Sequence, residues 1–257
     1  MKSAFQTEAP GAHELILRRM RSLAPVGAEL EAQVRALDVG HRHGAGIELS
    51  REREPVTPRF LVAGWAAQLR WLPDGRRQII NFILPGDGLG LYERPHPLSP
   101  SAVVALTPVR TLHAGPFVEA LMSRTGPTEL SNVCHLIASM HEAMLLDQII
   151  RLGRQTAFER LVHLMLELNH RHRLIGLSDG RNFACPLTQE MLADATGLSL
   201  VHVNRTLQQL RRDDLLDLRS GVARLLQPDQ LAVIGDWRPP APSRDLASAP
   251  VQVPVAP

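Results

Sequence analysis

Lysine is nearly missing from this chain: Lys2 is the one lysine, and arginine supplies the rest of the 28 basic residues. The formal net charge is only +2, so no strongly charged tail points to a partner of opposite sign. Cysteine is scarce too. Cys134 and Cys185 make no disulfide framework, and two thiolates fall short of the four that hold an iron–sulfur cluster. No apolar run reaches membrane-spanning length, and the opening MKSAFQTEAPGAHE lacks the apolar core of a secretory signal. The glycine patterns of a P-loop or a Rossmann fold and the nucleophile elbow are absent. These absences lead to the expectation of a cytoplasmic protein that is not an enzyme. Its 257 residues leave room for two modest domains.

What is present is concentrated between Leu187 and Leu226. Thr188 is a good N-cap, with Gln189 and Glu190 in the first turn of a short helix. Gly197 can take the left-handed conformation that ends it. Ser199 can cap the next helix, where Leu200, Val203, Leu207 and Leu210 recur at spacings of three and four. Val201, His202, Arg205, Gln208 and Gln209 fall on the opposite face, with Asn204 at its edge. Leu215 to Leu218 and Val222 to Leu225 then flank Ser220-Gly221, the pattern of a hairpin. Two helices, a tight turn and a hairpin make a winged helix-turn-helix, which places its second helix in the major groove of double-stranded DNA. Arg205 suits guanine O6 and N7, Asn204 suits adenine, and Val201 suits a thymine methyl. His202, Gln209 and Arg219 suit the phosphates, which position without specifying.

These residues resemble the Crp–Fnr family of bacterial transcription regulators. Gly64-Trp65-Ala66-Ala67, Leu72-Pro73-Asp74-Gly75-Arg76-Arg77-Gln78-Ile79 and Leu84-Pro85-Gly86-Asp87 are similar to its β-roll. Leu152-Gly153-Arg154 and Ala157-Phe158-Glu159-Arg160 are similar to the lead-in of its DNA-binding domain. The resemblance implies an α+β fold: an N-terminal β-roll of the cyclic-nucleotide-binding, jelly-roll type, a long dimerisation helix and a C-terminal winged helix-turn-helix. It also implies a homodimer, a two-fold symmetric DNA site and a guanine read by Arg205 in each half. Activation would add RNA polymerase as a partner; no motif locates that contact. Position 201 is commonly glutamate in the best-known members, so Val201 implies a different base preference there.

Along the chain, Ala12 to Leu23 and Val26 to Leu37 have helical spacing interrupted by Pro25. Asp38 to Pro58 reads as loop. Arg59–Ala63, Trp65–Trp71, Arg77–Leu84, Ser101–Leu106 and Val109–Leu112 read as strands. Thr128 to Leu152 reads as one helix, with Leu130, Val133, Ile137, Met140 and Met144 forming a coiled-coil seam expected to dimerise. Leu136, Ala143, Leu146 and Ile150 make a second stripe, and two apolar faces call for two partners. Gly153 is expected to break the helix as a hinge. The expected division is 12–126 sensor, 127–152 dimerisation helix, 153–235 DNA-binding domain and 236–257 disordered tail.

The signal at the sensor stays open. Cyclic-nucleotide-binding members carry a Gly-Glu-Leu segment and an Arg-Ser pair; the corresponding Gly90, Leu91 and Ser101 form a degenerate pocket, with Leu91 in place of the acid and Pro100 in place of the arginine. A phosphate without its arginine lacks its counter-charge, so cyclic AMP is not expected. Neither is an iron–sulfur cluster. A regulator with a ligand-free β-roll is one alternative. Another is a cupin-like metal enzyme, because His41, His43 and Glu48 echo a cupin HxH…E pattern; solvated loop histidines are the expectation, with no metal site. His170 and His172 are expected on the surface.

Overall fold

In the computed structural model, which describes residues 10–38, 40–91, 98–123 and 128–240, two helices come first, α1 (Ala12–Arg21) and α2 (Ala28–Arg35). Eight strands follow: β1 (Arg42–His43), β2 (Glu48–Ser50), β3 (Arg59–Ala63), β4 (Ala66–Trp71), β5 (Arg77–Ile83), β6 (Gly88–Leu89), β7 (Ala102–Ala105) and β8 (Val109–His113). They pair antiparallel in two sheets of order β1-β8-β3-β6 and β2-β7-β4-β5. This is the β-roll. Leu49, Leu61, Ala66, Ile83, Val103 and Val109 fill the space between the sheets. Gly64 turns the chain from β3 to β4 at φ +79°, where a Cβ would lie 2.2 Å from the Pro108 carbonyl oxygen. The stretch expected as loop from Asp38 to Pro58 contains β1 and β2. Strands this short show no readable alternation, and pairing specifies them: Arg42 opposite Arg110, Glu48 opposite Val104.

After α3 (Gly115–Ser123) comes the long helix α4 (Glu129–Arg154). The Thr128 hydroxyl accepts from the Ser131 N–H, and the Ser131 hydroxyl accepts from the Thr128 N–H, closing a capping box. Leu130, Val133, Met140 and Met144 are buried in their own chain, and Ile137 is partly so. The expected dimer seam therefore faces this subunit's own domain. The exposed apolar side chains are Leu145, Leu146, Ile149 and Ile150, from 43% to 66% accessible. Periodicity marks a stripe but not what covers it. Gly153 does not break the helix, which runs on to Arg154; the direction changes at extended Gln155 (φ −82°, ψ 147°).

The C-terminal part comprises α5 (Ala157–Leu174), β9 (Asn182–Ala184), α6 (Gln189–Thr196), α7 (Leu200–Arg212), β10 (Leu216–Arg219), β11 (Val222–Leu225) and α8 (Pro228–Ile234). A second capping box, Thr156 with Glu159, starts α5. Trp237 contradicts disorder beginning at Asp236: its ring meets His163 edge-on at 5.0 Å and its backbone N–H donates to the Ala232 carbonyl. The rest of the expected tail, 241–257, lies outside the described residues.

The two halves share a core. Trp65, Leu69, Ile79, Phe82 and Leu84 of the β-roll pack with Leu164, Leu168 and Phe183. At this junction Arg171 of α5 donates to Asp87 and to the Phe82 carbonyl, Arg19 of α1 pairs with Asp87 at 3.5 Å, and Arg151 of α4 donates to Glu167 at 2.9 Å. All five charged side chains are buried. Burial pushes the Asp87 and Glu167 carboxyls up, but the guanidiniums around them outweigh it and hold both below the usual range. His172 is also buried here, stacked on Trp65 at 5.1 Å, and not on the surface. His170 is half-buried against Trp237. The stripe of α5 continues into its basic last turn, so composition alone mistakes these buried positions for a solvated end.

Candidate nucleic-acid interface

Helices α6 and α7 are built by their caps. The Thr188 hydroxyl accepts from the Met191 N–H at 3.2 Å, and Ser199 does the same for His202 at 3.3 Å. Between them Gly197 takes the left-handed conformation at φ +65°. Val203, Thr206, Leu207 and Leu210 form the buried side of α7, while Leu200 is 47% exposed and outside the expected stripe. Leu200 opens the helix, beyond the end of the core. Its position at the first turn places it beside Val201, which is 76% exposed.

The exposed side of α7 carries Val201, His202, Arg205, Gln208 and Gln209. Arg205 has no hydrogen-bond or ion-pair partner among the described residues, so its five donors are available to an incoming acceptor. His202 is oriented by Ser199, whose hydroxyl lies 2.8 Å from Nδ1. Asn204 is placed differently from the others. Its amide nitrogen donates to Gln189 at 3.0 Å, and its amide oxygen accepts from Gln208 at 2.8 Å. The first bond ties the start of α6 to the middle of α7; the second lies within α7. Asn204 and Gln189 thus set the helix pair in this structure.

The wing is a three-stranded sheet of order β10-β11-β9. Strand β9 carries no signal in the sequence and is defined by its pairing with β11. Ser220 and Gly221 turn the hairpin with φ of 51° and 73°, as a two-residue loop of this hand requires. Arg219 is exposed but shares Asp217 with Arg211, at 3.0 Å and 2.9 Å. Arg224 is exposed beside it. Caps, turn and wing together are the parts of a winged helix-turn-helix, the module whose second helix enters a groove.

The β-roll positions tell another story. A Cβ on Gly88 would lie 2.1 Å from Leu91 Cδ1, and one on Gly90 (φ +66°) would lie 2.8 Å from Val56 Cγ1. Leu91 thus folds back over its own turn. Ser101 is 1% exposed and accepts from the Gln68 amide at 2.8 Å. Leu91 offers no charge or donor, and the buried Ser101 offers a hydroxyl but no charge, so these residues lack the counter-charge that a cyclic nucleotide's phosphate calls for. His43 lies in the β1 sheet and Glu48 in the other, and no group of three metal-ligating side chains is found among the described residues. Cys134 and Cys185 are buried in different cores, and burial pushes the Cys185 thiol up to about 12.

Sequence reasoning missed the groups that hold the β-roll against the helix-turn-helix domain. Arg77 of β5 pairs with Asp194 of α6; Gln78 donates to the Asp194 carbonyl at 2.8 Å, and Gln148 of α4 donates to the Ala195 carbonyl at 2.8 Å. One signal was available for the junction: Leu164, Leu168 and Arg171 follow at spacings of four and three, which places Arg171 on the buried stripe.

Comparison with known proteins agrees with this geometry. The Crp-like helix-turn-helix domain matches residues 159–234. The transcriptional activatory protein AadR of Rhodopseudomonas palustris is 32% identical over 190 residues, covering 73% of this chain and 77% of AadR. The nitrogen fixation regulation protein FixK of Bradyrhizobium diazoefficiens is 29% identical over 241 residues, covering 91% of this chain and 99% of FixK. Among solved structures, FixK2 from Bradyrhizobium japonicum superposes with a TM-score of 0.65 at 25% identity, over 77% of this chain and 97% of FixK2. A CRP/FNR-family transcriptional regulator from Thermus thermophilus shares the fold, with a TM-score of 0.57 at 19% identity, over 77% of this chain and 98% of that one.

Proposed function

The chain belongs to the Crp–Fnr family of DNA-binding transcription regulators, and from that we propose that it works as a homodimer on a two-fold symmetric site, reading a guanine in each half with Arg205. The observation that carries the reading is Arg205 itself, exposed and without a partner among the described residues, on the outer face of a capped helix. A guanidinium so placed matches guanine O6 and N7. Val201 adds a methyl surface, and His202, Gln209 and Arg219 add phosphate contacts. Thr188 and Ser199 bring the N-termini of α6 and α7 to the DNA backbone.

The dimer surface in this reading is the exposed side of α4: Leu145, Leu146, Ile149 and Ile150. Four large apolar side chains on adjacent turns are covered at little cost by the same face of a second copy. The protein acts in the cytoplasm, and no helix among the described residues is long and apolar enough to cross a membrane. AadR is named an activatory protein; in the same role this chain would engage RNA polymerase. In this reading the signal acting on the β-roll is unidentified and is not cyclic AMP, because Leu91 and Pro100 stand where an acid and an arginine would hold it. The closure of Leu91 over Gly88 also supports a second reading, a regulator whose β-roll is a ligand-free scaffold.

Selection from a random DNA pool with purified protein tests the assignment. The expected product is a two-fold symmetric site with a strong guanine in each half, and Leu145→Glu/Ile149→Glu is expected to sediment as a monomer and lose the paired site. An unenriched pool, both with the protein alone and with cell extract added, sinks the reading.

A further inference from the structure

We infer that Arg77, Gln78 and Gln148 are positioning residues for DNA recognition: they set the angle at which the reading helix leaves the sensor, and with it the half-site spacing the protein accepts. The inference rests on the paired-site reading above and deepens it.

A helix leaves its last carbonyls without partners inside the helix. At the end of α6, water is largely replaced by side chains from three other elements. Gln78 of β5 donates to the Asp194 carbonyl at 2.8 Å, Gln148 of α4 donates to the Ala195 carbonyl at 2.8 Å, and Arg160 of α5 donates to the Thr196 carbonyl at 3.1 Å. Arg77 adds an ion pair to the Asp194 carboxylate. Two of these elements belong to the sensor and its long helix, so the turn before the reading helix is fastened to a part of the protein that never enters the groove. Gly197 and Ser199 follow at once, and α7 starts at Leu200.

Beside these contacts there is room to move. A cleft of about 630 Å³ lies between the β4–β5 hairpin and the turn, lined by Trp71, Arg76, Asp194, Leu198 and Ser199. The covalent link is two extended residues, Gln155 and Thr156, which by themselves leave rotation free. The buried pairs of Arg171 and Arg151 hold α5, whereas the contacts on α6 act next to α7. The lever is long. A helix of thirteen residues spans ~20 Å, so a turn of about 10° swings its far end by ~3.5 Å and moves Arg205, ~7.5 Å from its start, by ~1.3 Å. In a dimer both helices swing, and a spacing that was wrong becomes tolerable. Gln148 lies on the same turns of α4 as exposed Ile149 and Ile150. The stretch that would meet the second copy on one side therefore grips the reader on the other.

The test measures binding to a DNA series in which two half-sites are moved apart or together by single base pairs. Wild-type protein is expected to lose about ten-fold in affinity per step away from its best spacing. Arg77→Asp/Gln78→Ala, at half-buried positions, is expected to lose less than about three-fold, with an unchanged melting temperature and unchanged affinity for a single half-site. Arg77→Asp alone is expected to show part of that relaxation, and adding Asp194→Arg, which restores the pair with its charges exchanged, to recover the sharp profile. A purely structural role would lower stability and bind every spacing more weakly to the same degree. A sharp wild-type profile retained in Arg77→Asp/Gln78→Ala overturns the inference alone. Wild-type protein indifferent to spacing overturns it together with the paired-site reading.

Discussion

Arginine does opposite things at the reading face and at the junction. On α7, Arg205 is exposed and without a partner among the described residues; on α5, Arg171 is buried and bonded to Asp87, Glu167, Asn81 and the Phe82 carbonyl. Both stand on amphipathic helices of a chain that uses arginine almost exclusively as its cation. The difference is what each can still bind. A guanidinium whose terminal nitrogens are bonded inside the protein holds domains together, while one whose donors face water is available to DNA. Counting basic residues along the reader would have merged the two.

The sharpest way to break this comparison is Arg171→Ala. Removing Arg171 leaves Asp87 with Arg19 and Glu167 with Arg151, each carboxylate one guanidinium short; losing a partner of a buried charge costs up to about 3–5 kcal/mol. Thermal denaturation should show that loss as a large fall in melting temperature, and a shift of a degree or two would mean that Arg19 and Arg151 suffice for the two carboxylates.

Next comes pH. Burial pushes His170 and His172 down to about 4. The unfolded chain takes up these protons near 6.5 while the folded one resists until about 4, so the unfolded state binds more protons in that window. Their stabilising contribution is full above about 6.5 and is lost as pH falls toward 4. At about 1.4 kcal/mol per pH unit, His172 accounts for up to ~3 kcal/mol of loss. It stacks on Trp65 of the sensor, so the loss falls on the junction. Melting curves across this range should steepen in wild type and flatten in His172→Phe. Equal slopes would place the titration elsewhere.

The smallest effect belongs to the reading face. Arg205→Ala should leave the melting temperature unchanged and weaken the specific site by about 1–3 kcal/mol per guanine contact, with relaxed preference at that base alone. Unchanged base preference would remove Arg205 from the reading role and with it one side of the comparison.

Much of the reader was legible because its signals are local. Thr188, Gly197, Ser199 and Ser220-Gly221 each act within a few residues through caps and turns, and the structure places them as expected. The longer strands from Arg59 to Leu112 were legible for the same reason, through alternation and turn residues. Strands β1, β2 and β9 were not, being too short to alternate and dependent on distant partners. The dimer seam shows the limit most clearly. The stripe of Leu130, Val133, Ile137, Met140 and Met144 was real, but its partner was this chain's own domain.

Local physics, in the form of periodicity, capping chemistry and glycine's left-handed turn, was enough to write the helix-turn-helix, its wing and the long helix from the order of residues. Which face of α4 lies outward, where His172 goes, and how β5 and α4 grip the end of α6 were decided only when segments far apart in the chain met. A side chain's partner across 84 residues, as for Arg171 and Asp87, has no trace in the spacing around it, because burial and charge pairing are properties of the assembled core.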